Sequence, residues 1–234
     1  MAAPEQKVLF ILGGGPRIGH GVAKKFLSQG YKVAIGRRHT DKVDLDGVLP
    51  VHVDVTKDET IEAAFKEVES KLGIPTIVVY NIAALTFPPE NDPFGVDPAI
   101  FARDLTINVG GAYTALHHAT RLARGQGGPS NPGPRPLVFI ATGNVTPFQP
   151  LDQAVTLGPG KAGLAHLTAI GKDAYAKDGF RFYFASQVTE SGGPVPYPYV
   201  DGEAHGEAYW RLVEGELEGW DVRFTAANGS ATFR

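Results

Sequence analysis

Apolar runs of strand length recur at Val8–Leu12, 32–35, 51–53, 76–80, 137–141 and 181–185, mostly separated by stretches whose apolar residues repeat with helical spacing. This alternation predicts an α/β, doubly wound fold: a mainly parallel sheet with helices on both faces. Between the third and fourth runs, Ile61, Ala64, Phe65, Val68 and Leu72 keep a 3.6-residue period, and Thr56 with Glu59 fits a capping box that would start this helix. Further helices are expected at 18–29, 104–123, 161–177 and 203–214, with 221–225 as a final strand. No internal repeat is visible, and 1–234 reads as one domain.

Two stretches interrupt the pattern. Residues 125–136 are rich in Gly and Pro, which suits a surface connection between a helix and the fifth strand. Residues 190–202 are similarly rich, carry Tyr197 and Tyr199, and follow the sixth strand at the sheet edge where ligands bind in such folds. They are expected either to cover a substrate pocket or to form a solvent-exposed connection.

Composition narrows the partners. With 22 Lys+Arg against 25 Asp+Glu the formal charge is −3 and the pI is near 6.2. That leaves no basic surplus for a phosphate backbone or an anionic bilayer, so neither nucleic acid nor a membrane is expected as a partner. Residues 1–7 have no apolar signal core, and the longest nearly apolar stretch, 74–87, is too short to span a bilayer and contains Asn81. The expectation is a soluble, cytoplasmic protein. There is no Cys, which excludes disulfides, a thiolate nucleophile and a Cys-ligated metal. The seven His give no metal site either, since His117 and His118 are adjacent on a helix and point about 100° apart, unlike the i, i+4 spacing of a zinc pair. No Gly-x-Ser-x-Gly elbow or carboxylate pair argues for hydrolysis, and Asp152 and Asp173 read as surface or capping residues.

The first strand runs into Gly13-Gly14-Gly15-Pro16-Arg17-Ile18-Gly19-His20-Gly21 and then a helix. Glycines there allow a tight turn whose helix-start amides are placed to meet a pyrophosphate; close packing of strand and helix is the other reading of the cluster. Arg37 and Arg38 follow the second strand, where a carboxylate would otherwise accept bonds from an adenosine ribose and repel a 2′-phosphate. Two guanidinium groups at that place favour NADPH/NADP+; solvated surface arginines are the alternative.

Taken together, these residues resemble the short-chain dehydrogenase/reductase family, of Rossmann fold, over nearly the whole chain. The family's Thr-Gly-x-x-x-Gly-x-Gly is similar to Leu12-Gly13-Gly14-Gly15-Pro16-Arg17-Ile18-Gly19, with Gly13 and Gly19 retained and Arg17 in place of the middle glycine. Asn81-Ile82-Ala83-Ala84 resembles its Asn-Asn-Ala-Gly after the fourth strand, Asp54-Val55 its adenine-contacting dipeptide, and Asn108 its helix-kinking active-site Asn. The resemblance implies a cofactor site of Gly13, Gly15, Arg17, Ile18, Gly19, Arg37, Arg38, Asp54, Val55, Asn81, Ala83, Lys161, Val188 and Thr189. In it Arg17 adds a third positive charge beside the 2′-phosphate. Gln187-Val188 replaces the usual Pro-Gly pair, and backbone contact from this segment to the nicotinamide carboxamide is expected to persist in altered form.

At the reaction centre the chain departs from the family. Tyr-x-x-x-Lys is represented by Leu157-Gly158-Pro159-Gly160-Lys161, and no Tyr lies between Tyr113 and Tyr175. Pro159 fixes φ and removes an amide donor where the family continues its helix, so 158–160 is expected to have an unusual backbone. The catalytic set implied by the resemblance is Asn108, Thr142 and Lys161. Thr142 stands at or beside the family's Ser, with Asn144 as the alternative, and Lys161 holds the nicotinamide ribose. A subset of the family without the Tyr is more similar still, sharing Gly-Lys-Ala and a late Ala-Tyr-Trp, here Ala208-Tyr209-Trp210. Its fungal members include NADPH-dependent iminium reductases. The resemblance therefore implies an NADPH-dependent reductase of a small organic carbonyl or iminium substrate. A redox-inactive NADP(H)-binding sensor or interaction protein and a non-redox cyclase are the alternatives. It also implies a homodimer or homotetramer paired through 104–123 and 161–177.

Overall fold

The computed structural model describes residues 7–126, 135–217, 219–227 and 229–233. Eight strands form one sheet in the order β3-β2-β1-β4-β5-β6-β7-β8. They are β1 Val8–Leu12, β2 Lys32–Arg37, β3 Val48–His52, β4 Ile77–Tyr80, β5 Val138–Thr142, β6 Arg181–Gln187, β7 Asp221–Ala227 and β8 Ser230–Phe233. Neighbours from β3 to β7 pair in parallel, and only the edge pair β7/β8 is antiparallel. The helices are α1 Ile18–Ser28, α2 Asp58–Leu72, α3 Pro98–Leu105, α4 Gly111–Ala123, α5 Leu157–Ala174 and α6 Gly202–Glu214. Strand order reverses between β1 and β4, which opens a crevice at their carboxyl ends.

The period-2 alternation of a strand divides the core into two layers. Along β1, Val8, Phe10 and Leu12 join Phe65 of α2, Ala115 of α4 and Leu164 of α5, while Leu9 and Ile11 join Val22 and Phe26 of α1 and Tyr209 of α6. All five β1 residues are fully buried, and each large apolar side chain removed from water in this way contributes about 1.5–3 kcal/mol.

The elements differ from the sequence expectation where polar side chains and glycines intervene. Thr56 and Glu59 do not form a capping box: α2 begins after Lys57 with no side-chain cap, and Thr56 donates to Asp54 Oδ1 instead. The helix expected at 104–123 starts earlier, at Pro98, where Asp97 accepts the Ala99 N–H, and it contains one π turn, Thr106–Gly110, centred on Asn108. That turn carries an extra residue per hydrogen bond and marks a side chain committed elsewhere. The interruption expected at 158–160 is absent. These residues form the first turn of α5, where the missing Pro159 amide would have had no helical partner anyway. Of the connection expected at 125–136, residues 127–134 lie outside the described residues. Strand β8 was not anticipated.

Helices α1 and α6 meet backbone to backbone. A methyl group on Gly21 would overlap the Gly202 carbonyl, one on Gly202 would overlap the Arg17 carbonyl, and one on Gly206 would lie 2.7 Å from the Gly21 oxygen. Gly21→Ala therefore forces the helices apart and should cost about 1–3 kcal/mol, read as a lower urea midpoint at unchanged m-value. An unchanged midpoint would show that α6 is not held by this contact.

Candidate functional site

The turn after β1 is built on close backbone approach. Gly13 has φ +105, a region that favours glycine, and a Cβ there would lie 2.8 Å from the Asn81 carbonyl carbon. Its N–H donates to Gly36 O at 2.9 Å, and its carbonyl accepts from Asn81 Nδ2 at 2.8 Å, tying β2 and β4 to the loop. A Cβ on Gly19 would sit 2.7 Å from Gly14 Cα, whereas one on Gly15 would meet nothing. The loop is thus packed on its inner side and open at Gly15. Helix α1 begins at Ile18 with no side-chain cap; the His20 N–H donates to Gly15 O at 3.1 Å, which leaves the Ile18 and Gly19 amides for an anion.

The basic residues separate. Arg37 donates to Gly14 O at 3.2 Å and stands against the loop, while Arg38 is exposed and its carbonyl accepts from His52 Nδ1. Arg17 does not join them. Its guanidinium lies 4.1 Å from the Tyr197 ring centroid and donates to Tyr197 O, so it pins the 190–202 segment instead. After β3, Asp54 Oδ1 accepts the Thr56 amide and hydroxyl, hydrogen bonds that hold its carboxyl below the ordinary range. Val55 is buried against Gly111, and Ala83 is exposed at the lip of the crevice.

On the α4/α5 side, fully buried Asn108 accepts the Ala84 N–H at 2.7 Å and donates to Ala84 O at 2.9 Å and Thr156 O at 3.3 Å. It therefore fixes the chain after β4 to the start of α5. Beside it, buried Asp104 receives two Arg103 bonds and the Thr86 hydroxyl. Burial alone would raise that carboxyl, but the donors outweigh it and keep it ionised.

Lys161 points inward from α5, and its Nζ donates to Thr142 O at 2.7 Å. Desolvation pushes its ammonium down to about 8. The Thr142 side chain faces the opposite layer, where its Oγ1 accepts from the buried Tyr209 hydroxyl at 2.9 Å. It is therefore not the cavity-facing hydroxyl expected from the sequence; two residues on, Asn144 takes that place. Asn144 Oδ1 accepts from the Thr146 amide and hydroxyl, so its NH2 is the group left to donate.

A cavity of about 320 Å³ opens here, lined on one side by Ile18, Gln187 and His205 and on the other by Asn144, Leu151 and Leu157. Pro194, Val195 and Val200 of the 190–202 segment and Asp152 also border it. Leu157 thus lies at the cavity wall, one helical turn before Lys161. The segment after β6 is internally committed: Val188 N–H donates to Phe224 O, Thr189 N–H to Gly193 O, and Gln187 holds Tyr199 O and the Asp201 amide. Backbone amides at 188 and 189 are therefore not open to a ligand.

His205 was not singled out by the sequence. It is 2% exposed, and its ring meets Phe224 and Tyr209 edge-on at centroid distances of 5.0 and 5.7 Å. Its Nδ1 lies 2.6 Å from Asp201 O, four residues back at the start of α6. That spacing is a signal only once the helix start is known.

A parallel sheet with a glycine turn, an open helix start and a crevice at its strand reversal defines a dinucleotide-fold protein. A family model described as enoyl-(acyl carrier protein) reductase matches residues 16–183. The chain is 32% identical to a short chain dehydrogenase/reductase of Cryptosporiopsis sp., over 97% of this chain and 94% of that one. A short-chain dehydrogenase/reductase of Armillaria gallica is 24% identical, covering 95% and 82%. Among solved structures, a short chain dehydrogenase from Mycobacterium smegmatis superposes with TM-score 0.76 at 21% identity, covering 93% and 91%, and one from Streptomyces avermitilis with TM-score 0.77 at 14%, covering 97% and 90%. The chain belongs to the short-chain dehydrogenase/reductase family, whose members bind a nicotinamide cofactor and act on small molecules.

The buried His205 makes a stability prediction. Desolvation lowers its imidazole from 6.5 to about 4, so the unfolded chain takes the proton first as the pH falls. The stability from keeping it neutral is complete above 6.5 and lost toward pH 4, a change approaching about 3 kcal/mol. His205→Gln should remove most of this loss. Urea titrations at neutral pH and at about pH 4.5 test it, and an equal acid loss in both proteins would refute the assignment.

Proposed function

We propose that this chain is a cytoplasmic, NADPH-dependent reductase acting on an acceptor that needs no proton from a phenol. The glycine turn supports cofactor binding: Gly13, Gly14 and Gly19 leave room only for backbone, while the side open at Gly15 admits a pyrophosphate to the α1 amides. Arg37, beside Gly14 O, and Arg38 would take the 2′-phosphate, with Arg17 held at Tyr197. Asp54, Val55, Asn81 and Ala83 border the same crevice. Lys161 has donors beyond the one given to Thr142 O, and these suit ribose hydroxyls. When bound, NADPH supplies the hydride.

The observation that carries the reading is Leu157 at the cavity wall where the family has its acid. The Asn144 amide donates a hydrogen bond but does not transfer its proton, and Thr142 is turned away. A cationic carbon–nitrogen double bond becomes a neutral amine on accepting hydride, so it matches a cavity with no phenol at position 157. The 190–202 segment, clamped by Arg17, covers this acceptor. No helix among the described residues is long and apolar enough to cross a membrane. Exposed Tyr113 on α4 and Ile170 on α5 support pairing of copies as a homodimer or homotetramer through these helices.

NADPH should bind more tightly than NADH, and Arg37→Ala should reduce the preference by about 1.5–3 kcal/mol. Calorimetry at one salt concentration measures it, and equal affinities in the unaltered protein would exclude the 2′-phosphate assignment. Lys161→Ala should weaken both cofactors alike.

Because α5 is helical from Leu157, a Tyr placed there reaches the cavity one turn from Lys161. An interrupted backbone at 158–160, as expected from the sequence, would keep Leu157→Tyr from becoming a strong ketone reductase; with α5 continuous from Leu157, the variant should instead raise turnover of neutral ketones by about 10²-fold or more, with little change for iminium acceptors. If the unaltered protein reduced ketones as fast as the variant, a different acid would have to exist. If it bound NADPH and reduced neither class, the redox-inactive reading would replace this one.

A further inference from the structure

We propose that His205 is the acceptor for the primary amide of the cofactor's nicotinamide ring, a contact that makes the amide N–H a recognised group. The inference rests on the dinucleotide reading above. A carbonyl oxygen only accepts hydrogen bonds, so the 2.6 Å contact with Asp201 O places the ring hydrogen on Nδ1 and fixes the tautomer. Nε2 is then a bare acceptor, and it has no hydrogen-bond partner among the described residues. The ring is held edge-on by Phe224 and Tyr209, is almost completely buried, and borders the cavity together with Ile18. Its low basicity keeps it a neutral acceptor at physiological pH.

Position identifies the ligand group. A dinucleotide whose pyrophosphate lies on the glycine turn, with its phosphorylated ribose toward Arg37 on β2, must send its other arm across the strand reversal toward β4, β5 and β6. That arm enters the cavity past Ile18. The start of α6, packed at Gly202 on the Arg17 carbonyl, sets His205 on the same side as the turn. A ring arriving there meets committed amide donors at Val188 and Thr189 and a free acceptor at His205. An amide NH2 fits that acceptor; a methyl ketone in its place offers no donor and covers Nε2 without pairing it.

The test compares binding of three probes by calorimetry: NADP+, its 3-acetylpyridine analogue, which lacks the amide N–H, and the 2′-phospho-ADP-ribose fragment, which lacks the ring. The unaltered protein should prefer NADP+ to the analogue by about tenfold. His205→Phe should abolish that preference, and His205→Gln, whose Oε1 accepts near the place of Nε2, should retain it. Fragment affinity should be the same in all three proteins, which reports an intact fold and an intact turn. No preference in the unaltered protein, which needs no variant, or a preference that survives His205→Phe, would overturn the inference alone. Failure of the unaltered protein to bind the fragment would overturn the dinucleotide reading and this inference with it.

Discussion

Backbone meeting backbone without intervening side chains is the constraint on which the rest depends. The turn after β1 crosses under Asn81, doubles back on Gly14 at Gly19, and then starts a helix whose second glycine touches α6. Each close approach removes a Cβ that would otherwise hold the layers apart, as small residues do wherever helices cross at short distance. The arrangement both shapes the turn and sets the position of α6. Since α6 carries His205 and Tyr209, the glycines around residue 21 reach the cavity through a neighbouring helix rather than through a ligand.

The opposite side of the crevice is fixed by polar atoms. Asn108 uses both ends of its amide on Ala84 and reaches Thr156, and Lys161 and Tyr209 approach Thr142 from the two faces of β5. Buried groups of this kind cost little when satisfied and a great deal when not, so each holds its partner in one position. The π turn at Thr106–Gly110 fits that requirement: the helix deforms where Asn108 turns to the neighbouring chain. The cavity is thus bounded by a glycine-packed wall and a hydrogen-bonded wall.

The strand periodicity and the glycine turn were legible in the sequence because each is a local pattern with a single physical reading. The parallel order followed from strand–helix alternation. What local pattern did not reveal was direction. Thr142 and Asn144 are two residues apart, yet Thr142 ends β5 facing α6 while Asn144 lies past the strand in the cavity wall. Arg17 reads as a phosphate ligand from its place in the motif and instead stacks on Tyr197, 180 residues away. Pro159 reads as a helix breaker and lies in the first turn, where proline costs nothing. His205 carried no signal, because its importance comes from Asp201, Phe224 and the cavity together.

On the proposed reading, Leu157 in place of a phenol decides which product the site can release, beyond its effect on rate. Hydride delivered to a neutral ketone generates an alkoxide, a strong base that must be protonated as it forms. An Asn144 N–H shortens that climb by a hydrogen bond to the oxygen, yet it leaves the charge in a cavity whose walls are largely apolar. Hydride delivered to an iminium carbon cancels a charge instead, and desolvation then assists the step because the product is the better-tolerated species. The buried neutral state of His205 is consistent with the same economy of charge. Of the ionisable side chains that border the cavity among the described residues, Asp152 is exposed and His205 is buried. On the proposed reading, the site therefore selects acceptors by the sign of the charge change during reduction, with Leu157 excluding those that end as anions.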